Sequence, residues 1–529
     1  MTPGGIFVSY LVAWLAGMVF RVQAEDLLGR VGRLRTPSGW VETPAYLPVI
    51  NPVSQEIPAS WMRERLGAEI VITNAYIILR RLKERALREG VHGILGYDGA
   101  VMTDSGGYQV LEYGGVEASP AEVAALEEEM GSDIAVPLDV PTGLLGREEA
   151  LETVEQTLRN LEETVKTLEE RGRRRALWAA PIQGGTHLDL IEMCVRREEE
   201  MGFDLYALGS PTPLMEGYRY DKLFRMLFTA RKAIGPGKPL HLFGAGHPSM
   251  FAFAVALGAD LFDSAAYYLY AKDGRYMTSS GTLRIERMDY LPCECPICSK
   301  TDLRELKELP GDVRTRLIAM HNLYVCFREV REIRQAIRDG RLMELLEQRA
   351  RSHPSLYQGF LEIMGDEDIL DLMERHTPLS ARRGVNLYDE VSLGRPRVRR
   401  ARRRLMELFS KPREGERLVL IPATMKVSWS KLAEALGEGF EAALYGTPYG
   451  LVPLELRYTY PFSQTNHPKS LIEENLNELV ELAVRQVEGR GYREVIVLEA
   501  KSRVLRRFGG RLAQEMESRG LKVELKALR

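Results

Sequence analysis

The chain has 529 residues, 45% hydrophobic and 27% charged, with a formal net charge of -3 at pH 7. Such a composition excludes a disordered chain. The length exceeds what one hydrophobic core fills, so one large domain with one or two smaller ones is expected. The near-neutral balance gives no overall attraction for polyanions, which must then come from a local patch.

Residues 5–20 are apolar but shorter than the about 20 residues of a membrane span, and no basic residue precedes them as in a secretory signal. Met18 stands inside this run, before VFRVQAEDLLGRVG. Residues 1–19 are expected to be a dispensable extension with the functional start at Met18, and no membrane partner is expected.

From residue 40 to 270 one pattern recurs: a short β-rich run ends in a polar residue or glycine, and an amphipathic, charged stretch follows. The runs are YLPVI (46–50), EIVITN (69–74), AVMTD (100–104), IAVPLD (134–139), LWAAPIQG (177–184), DLYALGS (204–210), LHLFGAG (240–246) and ADLFDS (259–264). Eight such units predict an α/β fold, a closed parallel (β/α)8 TIM barrel. An open doubly wound sheet would want a dinucleotide or phosphate-loop fingerprint, and neither motif follows a strand. Catalytic groups of such barrels sit where the strands end. Asn74, Asp104, Asp139, Gln183, Gly209, His247 and Asp263 occupy those ends. A lone aspartate there often only caps the next helix; three of them are harder to explain so.

The expected catalytic barrel spans 20–345, with an insert at about 271–325, followed by a helical, basic linker at 346–415 and a small α/β C-terminal domain at 416–529. The insert carries CECPIC. Three of the five cysteines, Cys293, Cys295 and Cys298, fall within six residues, a spacing suited to a metal rather than to disulfides. His321 completes a Cys3His set for one zinc ion, with Cys326 as the rival fourth ligand. Four protein ligands leave no position for water, so the zinc is expected to be structural. Cys194 is expected in the core. Residues 395–404, RPRVRRARRR, hold Arg395, Arg397, Arg399, Arg400, Arg402, Arg403 and Arg404, a candidate patch for nucleic-acid phosphates.

Asp104 lies in TDSGGYQ, where Ser105 offers a hydroxyl and a backbone N–H, and Gly106 and Gly107 allow close backbone approach. Asp263 lies in ADLFDSAAY. Two carboxylates on different strands suit a double displacement at a sugar carbon, one attacking the anomeric centre and the other moving the proton. The residues alone do not say which does which, nor separate this chemistry from that of a glycosidase or a lyase.

The segments PVINPVSQE, VITNAYIILR, HGILGYDGAVMTDSGGYQV, PLDVPTG, APIQGG, YALGSP, FGAGHP, ADLFDSAAY and CECPIC with His321 together resemble archaeal tRNA-guanine transglycosylases. The resemblance covers about residues 20 to 330. It implies removal of guanine 15 from the D-arm of tRNA and insertion of 7-cyano-7-deazaguanine, the first step of archaeosine formation on tRNA. It further implies Asp263 as nucleophile, Asp104 as general acid/base, Asp139 as reader of the base, and Gln183, Gly184 and Gly209 as base contacts. A carboxylate at Asp139 can accept from both N1–H and the exocyclic amine of guanine, a pair adenine does not present. The Gly209 N–H and the Gln183 amide could then read the carbonyl. Asp263 is followed by SAAY, not by the Pro-Thr-Arg of bacterial members, which favours the archaeal branch. The resemblance also implies a cytoplasmic homodimer. Archaeal members usually carry a C-terminal PUA domain; no segment here reads as one, so a separate PUA-domain protein is a possible partner. The competing readings are a non-catalytic tRNA-binding subunit and an archaeosine synthase, against which the intact aspartate motifs argue.

Overall fold

The computed structural model describes residues 19–107, 118–172, 174–409, 417–437 and 439–527. Residues 1–18 of the expected N-terminal extension, and residues 410–415 of the expected linker, lie outside them. The chain divides into two compact units, Met1–Gly365 and Asp366–Arg529. Among the described residues no helix is long and apolar enough to cross a membrane.

Unit 1 begins with an antiparallel sheet of β1 (Phe20–Asp26), β2 (Gly29–Thr36) and β3 (Gly39–Thr43). The eight strands of a closed barrel follow: β4 (Ala45–Ile50), β5 (Ile70–Asn74), β6 (Ala100–Asp104), β7 (Ile134–Ala135), β8 (Leu177–Ile182), β9 (Leu205–Leu208), β10 (Leu240–Leu242) and β11 (Leu261–Ser264). Each pairs in parallel with the next, and β11 pairs with β4 to close the ring. All eight expected runs are the barrel strands. Several runs overshoot at their carboxyl ends, where the backbone leaves the ladder to form the mouth. In the fourth run the ladder stops at Ala135, two residues before Pro137, which has no N–H to donate.

Leu47, Ile72, Met102, Ile134, Ala179, Leu205 and Leu261 form a core joined by Phe20, Leu34 and Val41 from β1–β3. The small sheet is fastened where barrel strands begin. The Ser38 N–H donates to Asp133 Oδ1 (2.6 Å), just before β7, and the Glu42 N–H to Glu69 Oε2 (2.6 Å), just before β5. Arg30 donates to Asp260 Oδ1 (3.0 Å), just before β11, and to the carbonyls of Pro236 (2.6 Å) and Lys238 (3.1 Å). Asp260 also accepts from the Leu240 N–H (2.9 Å). The end of the barrel at which the strands begin is thereby plugged, and the opposite end is left for chemistry.

The outer helices follow their local signals. Ser119 and Glu122 form a capping box on the helix Pro120–Glu129, each satisfying a backbone N–H that the first turn leaves unpaired. After β11 come the short helix Ala266–Lys272, the hairpin β12 (Arg275–Thr278) and β13 (Gly281–Arg284), and the long helix Gly311–Asp339. Helices Leu342–Ala350 and Pro354–Gly365 complete unit 1, so the segment expected as a linker divides between the two units.

Unit 2 opens with the helix Glu367–His376 and the minimal pair of β14 (Val385–Asn386) with β18 (Thr465–Asn466). Its main sheet contains β15 (Arg417–Pro422), β16 (Phe440–Thr447), β17 (Gly450–Pro453), β19 (Glu494–Leu498) and β20 (Lys522–Lys526) in the order β17-β16-β15-β19-β20. Only β17 runs antiparallel to its neighbour. Alternate residues of β15 feed two separate cores, Leu418 and Leu420 one, Val419 and Ile421 the other, as period-2 side-chain alternation requires.

Replacing Arg30 with Met leaves the Asp260 carboxylate buried without its cation. The variant is expected to lose about 3–5 kcal/mol of unfolding free energy, read from a guanidinium titration of the full chain.

Candidate functional site

The mouth of the barrel opens into a cavity of about 1330 Å³. Asn74, Asp104, Asp139, Gln183, Gly209 and Asp263 all line it. Their placement follows from the parallel barrel: each belongs to the carboxyl end of a strand or to the first residues beyond it, and parallel pairing sends all those ends to one face.

Asp104 ends β6. Its Oδ2 accepts from Asn74 Nδ2 (3.3 Å) and its Oδ1 from the Gly106 N–H (3.4 Å). Burial, and then the neighbouring Asp139 carboxylate, push its pKa from 3.8 up to about 7. Asp139 is raised by burial to about 6, and its hydrogen bond from Gln183 works the other way. That bond is short, 2.6 Å from Gln183 Nε2 to Asp139 Oδ2. Gln183 Oε1 in turn accepts from the Thr142 N–H (3.0 Å) and the Ser210 hydroxyl (3.0 Å). Gln183 therefore holds Asp139 through one Nε2–H, and its second Nε2–H is left over beside the cavity.

Three further residues singled out in the sequence are placed as follows. Gly209 lines the cavity, and its N–H donates to Ile182 O (2.9 Å). A Cβ at Gly209 would fall 2.2 Å from Gln183 Nε2, so the glycine makes room for that amide. Gly184 donates its N–H to Thr142 Oγ1 (3.1 Å) and does not line the cavity. Ser105 is fully buried behind the mouth, also outside the lining. Gly107 allows a close approach, but to a side chain of the protein: a Cβ there would meet Asp139 Oδ1 at 2.0 Å.

Asp263, on β11, is held by two donors on one oxygen. His241 Nε2 lies 2.8 Å from Oδ1 and the Gly244 N–H 3.1 Å from it. His241 is wholly buried on β10, and its Nδ1 has no partner among the described residues. With Nε2 donating to the carboxylate, Nδ1 is the ring nitrogen that no described group reaches. Sequence reasoning passed over His241. The available signal was a histidine inside the apolar run LHLF, two positions from its neighbour in a strand that had to face the lumen. His247 lines the cavity and also caps the helix Pro248–Ala256, accepting from the Ser249 N–H at Nδ1 (3.2 Å). Burial lowers its pKa to about 4.

The ligand atoms of Cys293, Cys295, Cys298 and His321 all lie within 4.8 Å of one another. Tetrahedral zinc with sulfur at about 2.3 Å needs its ligands about 3.8 Å apart. His321 Nδ1 is 3.6 Å from Cys295 Sγ and 3.3 Å from Cys298 Sγ. His321 Nε2 donates to Met277 O (2.9 Å), which leaves Nδ1 unprotonated toward the sulfurs, the orientation a metal ligand requires. The donor set fits a tetrahedral metal ion. Cys326 is buried elsewhere, beside Tyr46. Cys194 is in the core, as expected. Asn322, next to His321, donates to Tyr267 O (3.0 Å) in the helix after Asp263 and accepts from the Met277 N–H (2.8 Å). The cluster is thus tied to the segment that carries Asp263.

The arginine run forms the helix Pro396–Leu408 of unit 2. Arg395 is buried against Tyr388 and Asn386 O, Arg397 donates to Tyr460 Oη (2.7 Å), and Arg402 pairs with Glu478 (3.0 Å). Arg399 pairs with Glu367 (2.7 Å) and Asp371 (3.0 Å), and Arg400 donates to Thr377 O. Arg403 and Arg404 are exposed, Arg403 with an ion pair to Glu374. Most of the run secures unit 2 internally.

A closed parallel barrel whose strand ends converge acidic side chains on one cavity belongs to the class of barrel enzymes. The family described as TGT: queuine tRNA-ribosyltransferase matches residues 26–355. A tRNA-guanine(15) transglycosylase of Aeropyrum pernix is 42% identical over 487 residues, 90% of this chain and 93% of that protein. Those of Sulfolobus acidocaldarius (39% over 481 residues, 90% and 95%) and Archaeoglobus fulgidus (42% over 459, 86% and 89%) are similarly related. The chain belongs to the tRNA-guanine transglycosylase family, alongside these archaeal members.

The raised pKa of Asp104 carries a stability consequence. The folded state retains this proton up to about pH 7, whereas an unfolded aspartate loses it near 3.8. The native state is therefore favoured at low pH, and that contribution is lost as pH rises through 7. Asp104→Asn removes the penalty, so its gain in melting temperature over the native protein should be larger at pH 8 than at pH 5.

Proposed function

We infer that the chain exchanges guanine 15 of tRNA for 7-cyano-7-deazaguanine through a covalent ribosyl-aspartate intermediate. The observation that carries this reading is the convergence of Asp104, Asp139 and Asp263, from three separate strands, on one cavity. The relatives' shared name, tRNA-guanine(15) transglycosylase, supplies the substrate.

Asp263 is assigned as the nucleophile. His241 and the Gly244 N–H both bind Oδ1, which orients the carboxylate and leaves Oδ2 for attack. Oδ2 forms an ester bond to ribose C1′ as the C1′–N9 bond breaks, and the bonding pair leaves with guanine. Asp104, with its pKa near 7, is assigned to deliver the proton to the departing base. The second displacement reverses these roles. Asp104 takes the proton from the incoming base, whose N9 attacks C1′, and the ester bond breaks to restore Asp263. Two inversions retain the anomeric configuration. Asp139, held by Gln183, is assigned to the donor edge of the base. Losing one such buried hydrogen bond to a wrong base is worth about 1–3 kcal/mol. The target nucleotide must leave its stack to reach these groups.

Cys293, Cys295, Cys298 and His321 are assigned to one zinc ion. With four protein ligands the ion would be structural, lending folding energy to the insert. Of the arginine run, Arg403 and Arg404 are the residues assigned to phosphate, since they are exposed. A cytoplasmic homodimer and a separate PUA-domain partner are further expectations of the same reading, carried by the family resemblance.

Incubation with tRNA and labelled guanine should place label at position 15. Asp263→Ala should abolish incorporation with an unchanged circular dichroism spectrum and metal content. Denaturing gels of the native enzyme should trap tRNA on Asp263; a bond mapped to Asp104 would reverse the assignment of roles. Cys295→Ser should release zinc by elemental analysis and lower the melting temperature. A variant that keeps both would have the ligand set wrong.

A further inference from the structure

The cavity is larger than the carboxylate chemistry needs. Its volume of about 1330 Å³ exceeds the about 300–1,000 Å³ that suits a single small molecule. One wall is formed by Tyr218 and Tyr220, which follow β9, and by His353, which comes from far along the chain. These rings terminate a continuous aromatic chain. Phe253 stacks on Phe224 (4.8 Å between centroids, 6° between planes), and Phe224 on Tyr220 (5.8 Å, 24°). Tyr220 meets Tyr218 edge-on (6.2 Å, 86°), and Tyr218 stacks on His353 (4.7 Å, 23°). Phe253, Phe224 and Tyr220 are buried, whereas Tyr218 is 55% exposed.

The last ring is held out deliberately. Tyr218 has φ of +54°, a left-handed conformation that a bulky side chain adopts only where the surroundings impose it. Its N–H is bonded to Met215 O (3.2 Å). The ring behind it is fixed as well: His353 Nδ1 accepts from the Ser355 N–H (3.1 Å). The half-exposed Tyr218 ring, stacked on His353 and edge-on to Tyr220, is thus presented at the cavity wall.

We propose that Tyr218, backed by His353, is a stacking platform for a nucleobase that neighbours the exchanged one in the RNA. The proposal rests on RNA being the substrate. Extracting one base from its stack exposes a π-face on each neighbour. An exposed, immobilised ring beside the cavity replaces one of those lost contacts without reading a base edge, as sequence-tolerant single-strand sites do. The exchanged base itself needs in-plane hydrogen bonds from carboxylates, which Tyr218 and His353 do not supply.

The test uses the full chain with intact tRNA. Tyr218→Ala should weaken tRNA binding in an anisotropy titration about tenfold and raise the KM for tRNA equally. The kcat and the KM for guanine should stay as they are. Tyr218→Phe and Tyr218→Trp should bind as the native protein does. A tRNA made abasic at one of the two nucleotides flanking position 15 should bind the native protein as weakly as Tyr218→Ala binds intact tRNA, with little further loss in the combination. Unchanged binding by Tyr218→Ala, or abasic losses that add in full to it, would overturn the platform, as would equal weakening by the Phe and Trp variants. If the ring anchors a protein partner instead, tRNA binding will not respond. If the native protein fails to exchange guanine yet binds tRNA through Tyr218, the exchange reading fails and the platform stands.

Discussion

Bringing three carboxylates out of water into one cavity is the constraint on which the rest of this structure depends. Desolvation opposes each charge, and the neighbouring charges oppose one another. The mouth answers with a separate set of donors for each group: Asn74 and the Gly106 N–H for Asp104, the Gln183 amide for Asp139, His241 and the Gly244 N–H for Asp263. Burial raises two of the three, and their donors work against it. Asp104 is lifted to about 7 and Asp139 to about 6. Two carboxyls raised to different extents can divide the work of moving a proton and binding a base.

Stability is stored at the opposite end. The β1–β3 sheet caps the starts of the strands and buries the Arg30–Asp260 pair with its carbonyl partners. The Cys3His cluster performs a related task nearer the mouth. Its helix, through Asn322, grips the backbone of Tyr267, four residues after Asp263. Tyr267 donates its hydroxyl to Val49 O (2.9 Å) on β4, across the closure of the ring. The segment following Asp263 is therefore pinned from two directions, which suits an acidic group that must hold one orientation.

The eight strands were legible because a β/α repeat writes itself locally: each run is apolar, short, and ended by a polar or small residue. The metal cluster was legible for the same reason, since three of its ligands lie within six residues. Where local and tertiary demands diverged, the sequence misled. The glycines near the mouth read as backbone donors or as room for a ligand. Gly107 and Gly209 instead make room for Asp139 and Gln183, which come from other strands. The arginine run read as one free patch. Its acidic partners Glu367, Asp371 and Glu374 sit on a helix about thirty residues earlier, and only folding brings them alongside.

The amino-acid sequence by itself determined the barrel, the strand ends at which aspartates stand, and the composition of the metal site, because each depends on periodicity or on spacing over a few residues. Tertiary structure alone decided which groups touch. The pairing of His241 with Asp263, the clasp of Gln183 on Asp139 and the stack of Tyr218 on His353 join residues 22, 44 and 135 positions apart. Such contacts leave no local trace, since they are set by how strands register around the ring and how helices pack outside it.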